Sequence, residues 1–277
     1  MTLPPLACPV RACGAPLARQ ARALVCPRAH TFDLARSGYV NLLQPQDRRS
    51  PRAGDTAEAL DARARLAAAG VGRALTDEIV DRIRGWPFDA PPAVVDLGCG
   101  TGELLAAIAD ARPIVGTGLD LSTAAVERAA RRRADLTWVV GNADRRLPFG
   151  DGTVDVVLST HARRNAAECA RVLKPDGRLL VAVPAPDDLV ELRTRVMGES
   201  APRARVEAVV AEHDRQFQVA ARWTVRERRH LDLPALADLL RGTYRGARRS
   251  TSARVERLEP MTVTLESDVL VLVPRRR

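Results

Sequence analysis

An acidic, glycine-rich stretch is the part of the sequence best suited to hold a charged cofactor. It reads Val95-Asp96-Leu97-Gly98-Cys99-Gly100-Thr101-Gly102-Glu103. The pattern predicts a strand that ends near Asp96 and a glycine turn into a helix, where the missing Cβ lets the backbone approach a ligand. Dinucleotide-binding turns place their third glycine one residue later, where this sequence has Glu103. Because Asp96 would oppose a pyrophosphate, we expect a cationic cofactor rather than NAD.

Further polar residues follow the next predicted strands. Asp120 ends the second strand, where a carboxylate can accept hydrogen bonds from both ribose hydroxyls. Asn142, Ala143 and Asp144 follow the third strand, in a segment suited to reading an adenine edge. Asp155 lies at the start of the fourth strand and is equally compatible with a solvated strand-end acid and a site residue.

The elements that must position these residues alternate between short apolar strands and helices. Strands are predicted at 93–97, 114–119, 136–140, 153–159 and 178–183, and helices at 103–111, 122–133 and 165–173. This alternation is typical of an α/β fold with a doubly wound, mostly parallel sheet. Helical spacing is also found at 55–69 and 73–85. Beyond Pro186 the sequence predicts helix to about Val219, followed by antiparallel strands at 222–231 and 261–273.

From about residue 92 to 185 the chain resembles a class I S-adenosylmethionine-dependent methyltransferase, which has a Rossmann-like, seven-stranded sheet. The resemblance implies that S-adenosylmethionine is the cofactor. Residues that would border its methionine end are Asp96, Gly98, Gly100 and Thr101. Asp120 would hold the ribose, and the adenine would be bordered by Asn142, Ala143 and Asp144.

A second candidate site is formed by residues near the start of the chain, with the spacing Cys8-x4-Cys13-x12-Cys26-x3-His30. Three thiolates and one imidazole are a ligand set of structural zinc sites and leave no open position for catalysis. Residues 1–45 are too few to bury a core of their own, so zinc binding would stabilise them. The alternative is a set of buried thiols with an unrelated histidine.

Together, the two sites resemble the bacterial 23S rRNA (guanine-N1)-methyltransferases of the RlmA type. The other segments that carry this resemblance are 26–33, 38–43 and 54–56. The resemblance implies a zinc-binding RNA-recognition module at 1–45, a helical linker and cofactor lid at 46–90, and a methyltransferase domain at 91–277. It also implies methyl transfer to N1 of a guanine in a 23S rRNA hairpin loop.

Some positions depart from the family pattern. Gly72 aligns with a family tyrosine that helps hold the cofactor, and Asp188 aligns with a family histidine near the sulfonium, so both are candidate cofactor residues. His161 and Asp188 are also candidates to accept the proton that leaves N1. Residues 159–165 replace a usual Ala-Pro segment, which leaves the target base open.

Composition limits the expected partners. The 277 residues carry a net charge of +9, and every cation except Lys174 is an arginine. We find no secretion signal and no apolar run long enough to span a membrane, so we expect a cytoplasmic protein without a membrane partner. The expected partner is 23S rRNA, and a homodimer is left open. Arginines that could contact RNA phosphates are Arg19, Arg22, Arg28, Arg36, Arg48, Arg49, Arg52, Arg241, Arg245, Arg248, Arg249, Arg254, Arg275, Arg276 and Arg277.

Two other functions are compatible with the sequence. One is an S-adenosylmethionine-dependent methyltransferase that acts on a small molecule or another substrate and keeps the zinc ribbon as a structural cap. The other is a non-catalytic RNA-binding relative with a vestigial cofactor site. Cofactor binding would separate the second from both enzymes, and methyl transfer to rRNA would separate the enzymes from each other.

Overall fold

A computed structural model describes residues 6–47, 55–197, 205–242 and 258–275. Its strands are β1 (Ala18–Gln20), β2 (Ala23–Val25), β3 (Thr31–Asp33), β4 (Val40–Asn41), β5 (Ala93–Leu97), β6 (Val115–Asp120), β7 (Thr137–Val140), β8 (Val154–Thr160), β9 (Leu173–Pro184), β10 (Phe217–Leu231) and β11 (Met261–Pro274). Its helices are α1 (Ala57–Ala68), α2 (Arg73–Arg84), α3 (Glu103–Ala111), α4 (Thr123–Arg132), α5 (Ala166–Val172), α6 (Val190–Met197), α7 (Arg205–His213) and α8 (Leu233–Gly242). In the described ranges, no helix has the length and apolar character required to cross a membrane.

The main sheet has the strand order β10-β11-β9-β8-β5-β6-β7-β4. The strands from β9 to β4 pair in parallel, and β11 and β10 add an antiparallel pair of strands at one edge. Neighbouring residues of β5 face opposite cores: Val94 packs with α2, α3 and α4, and Val95 packs in the cluster that includes α5 and α7. The predicted α/β fold with a doubly wound, mostly parallel sheet is therefore confirmed.

Three details differ from the prediction. The sheet has eight strands rather than seven, because β4 from the N-terminal segment pairs with β7. The helix predicted to reach Val219 ends at His213, and β10 already begins at Phe217, whose buried ring belongs to the core. The strand predicted at 178–183 already begins at Leu173 in β9, and its register against β8 shifts between Val154 and Val156.

The N-terminal segment shares its core with the main sheet. Its strands β1, β2 and β3 form a small antiparallel sheet. Leu6 bridges to Phe149, and Leu6, Leu24 and Leu42 pack with Phe149 in one buried cluster. Because so few residues cannot bury enough apolar surface alone, this shared packing supplies the core that the segment lacks.

Helix α1 connects two distant parts of the fold. Near its start, the backbone carbonyl of Asp55 accepts a hydrogen bond from Ser122 Oγ at 3.3 Å, next to the carboxyl end of β6. Toward its end, Arg65 forms a two-pronged ion pair with Asp238 on α8, at 2.7 and 2.8 Å. The helix therefore bridges α4 and α8.

Candidate cofactor and zinc sites

The three glycines of the turn after β5 have different surroundings. A Cβ at Gly98 would lie 2.4 Å from the Cβ of Ala162, and one at Gly102 would lie 2.3 Å from the ring of Trp138. Gly100 has a φ of 56°, and nothing in the described chain lies within 4 Å of its Cβ position. Gly98 and Gly102 are therefore required by packing, and Gly100 leaves the open space in which a ligand can approach the backbone.

Asp120 fixes the shape of this turn. Its Oδ2 accepts a hydrogen bond from the Gly100 amide at 2.9 Å, and its Oδ1 accepts one from the Ser122 amide at 2.8 Å. Burial raises the pKa of Asp120, while these two hydrogen bonds lower it. Each carboxylate oxygen keeps a further lone pair, so the group can still accept hydrogen bonds from ribose hydroxyls.

Asp96 supplies a buried acidic group at the end of β5. Only 3% of the Asp96 residue is exposed. Its pKa is raised to about 7, first because burial removes water from the carboxylate and then because Asp120 and Glu103 are also acidic. A bound cation would favour the ionised form. These carboxylates therefore fit the positive charge of S-adenosylmethionine and are unsuited to a pyrophosphate.

The predicted adenine segment follows β7. Asn142 Oδ1 accepts a hydrogen bond from the Asp144 amide at 2.9 Å, which closes a short turn. The Asp144 carboxylate pairs with Arg163 at 2.9 Å, and the Asn165 amide donates to the Asp144 carbonyl at 3.4 Å. Ala143 packs against the buried cluster. The loops after β7 and β8 are thereby joined to each other.

The two candidate proton acceptors contact neighbouring residues of β11. His161 Nε2 lies 2.9 Å from Ser267 Oγ, and Asp188 Oδ1 accepts a hydrogen bond from the Glu266 amide at 3.0 Å. His161 is exposed to solvent as a residue. Protein atoms crowd its ring, and the resulting loss of water, followed by the charge of nearby arginines, lowers its pKa. Burial raises the pKa of Asp188. The structure therefore brings these two side chains to adjacent residues in the middle of β11.

Gly72 and Asp155 have their hydrogen-bond partners outside the glycine turn. Gly72, with a φ of 81°, precedes α2, and its amide faces Glu227 on β10 at 3.4 Å. In the strand order, β10 is four places from β5. Its cofactor role stays a prediction. Asp155 accepts a hydrogen bond from the Ala93 amide at 2.8 Å and pairs with Lys174 at 2.7 Å, so it anchors the amino ends of β5 and β8.

The four predicted metal ligands meet in one cluster. Their ligand atoms all lie within 4.8 Å of one another. Cys13 Sγ is 3.9 Å from Cys26 Sγ, and His30 Nδ1 is 3.4 Å from the Sγ atoms of both Cys8 and Cys26. Usual Zn–S and Zn–N bond lengths in a tetrahedron require S–S separations of about 3.8 Å and S–N separations of about 3.6 Å. The cluster therefore has the composition and the dimensions of a closed, structural zinc site.

Sequence reasoning missed three residues around the cofactor edge. Asp55 and Arg63 form an ion pair across the start of α1, and both contribute to the electrostatic field at Asp120. Ser267 contacts His161 from β11. Asp55 lies in one of the segments that carry the family resemblance, which is a usable signal. For Arg63 and Ser267 we find no local signal, because their contacts depend on long-range pairing.

The fold and the two sites define a class I S-adenosylmethionine-dependent methyltransferase that carries an N-terminal zinc ribbon. Residues 94–177 match the family described as Methyltransferase domain, and residues 6–51 match the zinc ribbon described as RlmA, N-terminal. A chain in the complex of the Haloferax volcanii Trm112 methyltransferase activator with a methyltransferase is similar in fold. It has a TM-score of 0.50 and 23% identity over 79% of this chain and 98% of that chain.

Two curated relatives are closer in sequence. A candidate 23S rRNA (guanine-N(1)-)-methyltransferase of Micromonospora griseorubida is 40% identical over 284 residues, which cover 95% of both chains. The 23S rRNA (guanine(748)-N(1))-methyltransferase of Streptomyces fradiae is 41% identical over 182 residues, which cover 65% of this chain and 64% of the relative. The chain belongs to the family of RlmA-type 23S rRNA (guanine-N1)-methyltransferases.

Proposed function

We propose that the protein transfers a methyl group from S-adenosylmethionine to N1 of a guanine in a hairpin loop of 23S rRNA. The observation that carries the proposal is the similarity over 95% of both chains to a relative with that activity in its name. Both halves of the implied apparatus are present in the chain: the acidic glycine turn and the zinc ribbon. A loop guanine can be turned out of its stack and read along its Watson–Crick edge, which exposes N1.

The residues after β5, β6 and β7 would hold the cofactor. Asp96 would face its positive charges, Gly100 would give close backbone approach, and Asp120 would hold the ribose. Thr101 donates a hydrogen bond to Glu103 at 2.5 Å and so fixes the start of α3. When bound, S-adenosylmethionine supplies an electrophilic methyl group, so the main task of the chain is to align the acceptor nitrogen with it.

His161 and Asp188 are the candidates for taking the N1 proton. A lowered pKa keeps His161 neutral at neutral pH, which leaves its lone pair available but makes it a weaker base than an exposed histidine. The raised pKa of Asp188 makes its carboxylate a stronger base than an exposed aspartate. Both contact β11 at adjacent residues, so we propose that they face the same target base.

A basic concave surface next to the adenine segment suits an RNA backbone. A cavity of about 300 Å³ lies between the zinc ribbon and the loop after β7, and Arg11, Arg145 and Arg146 line it together with Asn142. Arg11 and Arg146 have no acidic partner within 4 Å among the residues that the structure describes. Arginine pairs well with phosphate oxygens in a two-pronged geometry. Phosphates of the RNA would therefore be held beside the cofactor edge.

The other arginines expected to contact RNA fall into three groups. Arg19, Arg22, Arg28 and Arg36 are exposed on the ribbon, whereas Arg241 and Arg275 are already paired with Asp238 and Asp214. The remainder lie outside the described residues: Arg48, Arg49, Arg52, Arg245, Arg248, Arg249, Arg254, Arg276 and Arg277.

Three other expectations stay predictions. They are the division of the chain into RNA-recognition module, cofactor lid and methyltransferase domain, the homodimer, and the cytoplasmic location.

The test is methyl transfer to large-subunit RNA. The purified, zinc-loaded protein is incubated with labelled S-adenosylmethionine and 23S rRNA from a host that lacks the modification. We expect label in one guanine, with mass spectrometry placing the methyl group on N1. An Asp120→Ala variant, assayed at low cofactor concentration, is the matched control with weakened cofactor binding. If the protein without substitutions puts no label into large-subunit RNA, the proposal is refuted.

A further inference from the structure

The loop after β8 sets the space beside the glycine turn. It is one of the segments in which this chain departs from the usual family pattern. The Cβ of Ala162 occupies the space that a side chain on residue 98 would need. His161, the preceding residue, has a φ of 53°, and its amide continues the ladder by donating to the Ala182 carbonyl at 2.9 Å. A shift of this loop would therefore move both His161 and the wall of the cofactor turn.

The carbonyl of Ala162 is held from inside the protein. It accepts hydrogen bonds from Ser159 Oγ at 3.3 Å and from Arg164 Nη1 at 3.2 Å. The Arg164 side chain is only 7% exposed. The Glu212 carboxylate lies 3.9 Å from its Nη2 and is largely open to solvent. Burial lowers the pKa of Arg164, which shows how little water reaches the guanidinium.

His213 on α7 gives Arg164 its inner partner. His213 Nδ1 lies 2.8 Å from the Val209 carbonyl, which can only accept, so this nitrogen carries the proton. His213 Nε2 therefore presents a lone pair, and Arg164 Nε donates to it at 3.2 Å. Burial and the Arg164 charge lower the pKa of His213, so the ring stays neutral. The hydrogen-bond chain runs from Val209 through His213 and Arg164 to the Ala162 carbonyl.

Stability alone does not account for this pair. Replacing buried charged and polar groups by apolar ones of similar volume is often neutral or stabilising. The outward contact of the pair ends on the loop beside Gly98, and the next residue in that loop, Arg163, binds Asp144 on the adenine side. We propose that Arg164 and His213 are positioning residues, which hold the loop after β8 in the geometry that aligns the methyl acceptor. This inference rests on the proposed rRNA methyltransferase activity.

The test separates positioning from stability by removing both partners at once. In the full-length, zinc-loaded protein, Arg164→Met with His213→Leu replaces the polar pair by apolar groups and leaves no buried donor unpaired. We expect a melting temperature and a calorimetric affinity for S-adenosylmethionine close to those of the unmodified protein, with kcat on 23S rRNA lowered on the order of 10- to 100-fold. His213→Gln, whose amide oxygen can still accept from Arg164, is expected to keep most of the activity. Arg131→Ala, which removes an exposed arginine on α4, is the control for lost charge.

The outcomes are distinct. If the double variant is as active as the unmodified protein, the pair is only structural and the inference is refuted. If the double variant does not fold, the comparison of His213→Gln with His213→Leu decides. Equal kcat for these two variants refutes positioning, and a selective loss with leucine supports it. If the unmodified protein does not methylate rRNA, the proposed function fails first and this inference fails with it.

Discussion

Binding of a cationic cofactor should depend on pH through Asp96. The carboxylate is buried, and its pKa in the free protein is about 7. Because the cofactor is positively charged near this group, it would bind the ionised form more tightly, and binding would release a proton near neutral pH. We therefore expect cofactor affinity to rise with pH and an Asp96→Asn variant to lose this dependence.

The magnitude follows from the titration. With a pKa of about 7, roughly a tenth of the carboxylate is ionised at about pH 6 and roughly nine tenths at about pH 8. Affinity should therefore increase about tenfold between these values. The stability of the free protein changes in the opposite direction. Because the folded state holds this proton more tightly than the unfolded chain, the contribution of Asp96 to the free energy of unfolding falls as the pH rises. The fall is about 1.4 kcal/mol per pH unit between about pH 4 and about pH 7.

Calorimetry in buffers with different ionisation enthalpies measures both affinity and proton release. The unmodified protein should release up to one proton per cofactor at about pH 6, and Asp96→Asn should release none and bind more weakly at about pH 8. Thermal unfolding at about pH 8 should show that free Asp96→Asn is more stable, by roughly 2–4 kcal/mol. The exposed Asp176→Asn is the matched control. An affinity independent of pH in the unmodified protein would refute the assignment of a protonated Asp96.

Four further changes have expected outcomes. Asp120→Ala removes the acceptor for two backbone amides and the ribose, so calorimetry should show cofactor binding about 10- to 100-fold weaker, and unchanged affinity would contradict the site. Cys26→Ser should release zinc to a chromogenic chelator and lower the melting temperature, whereas full metal retention would argue against the ligand set. Phe149→Ala removes a buried ring shared by ribbon and sheet, and denaturant unfolding should show a loss of about 3–5 kcal/mol. Arg146→Ala should weaken RNA binding and reduce the salt slope by about 0.7–0.9, and an unaltered slope would exclude phosphate contact.

The sequence was most informative where chemistry and local pattern coincide. The strand before Asp96, the turn at Gly100 and the acid at Asp120 all follow from short-range signals: continuous apolar residues, glycine spacing and strand-end acids. The structure brings Asp96 and Asp120 together as predicted, because adjacent parallel strands end at the same edge. The zinc ligands were equally visible, since the type and spacing of Cys and His residues specify the coordination.

The remaining features depend on contacts between distant residues. The sequence of the first 45 residues does not indicate that Val40 pairs with β7, because a strand of two residues is too short to show a periodic pattern. The buried Arg164 and His213 lie 49 residues apart, and in an arginine-rich chain a single arginine carries little information. For Gly72 the local sequence gives no such signal, and its cofactor role stays a prediction. The alignment suggested a cofactor role, and the structure gives it a φ of 81° before α2 and a contact with Glu227.

The pairing of β4 with β7 has a consequence for the order in which the chain matures. The edge strand that β4 covers, and the ring of Phe149 that packs with Leu6, are synthesised about a hundred residues after the ribbon itself. While the chain emerges from the ribosome, the N-terminal segment can capture its metal but cannot complete its apolar packing. Until then, the leucines of this segment that are buried in the folded protein stay exposed to solvent. Early metal capture would therefore keep this segment compact during translation, before its permanent neighbours exist.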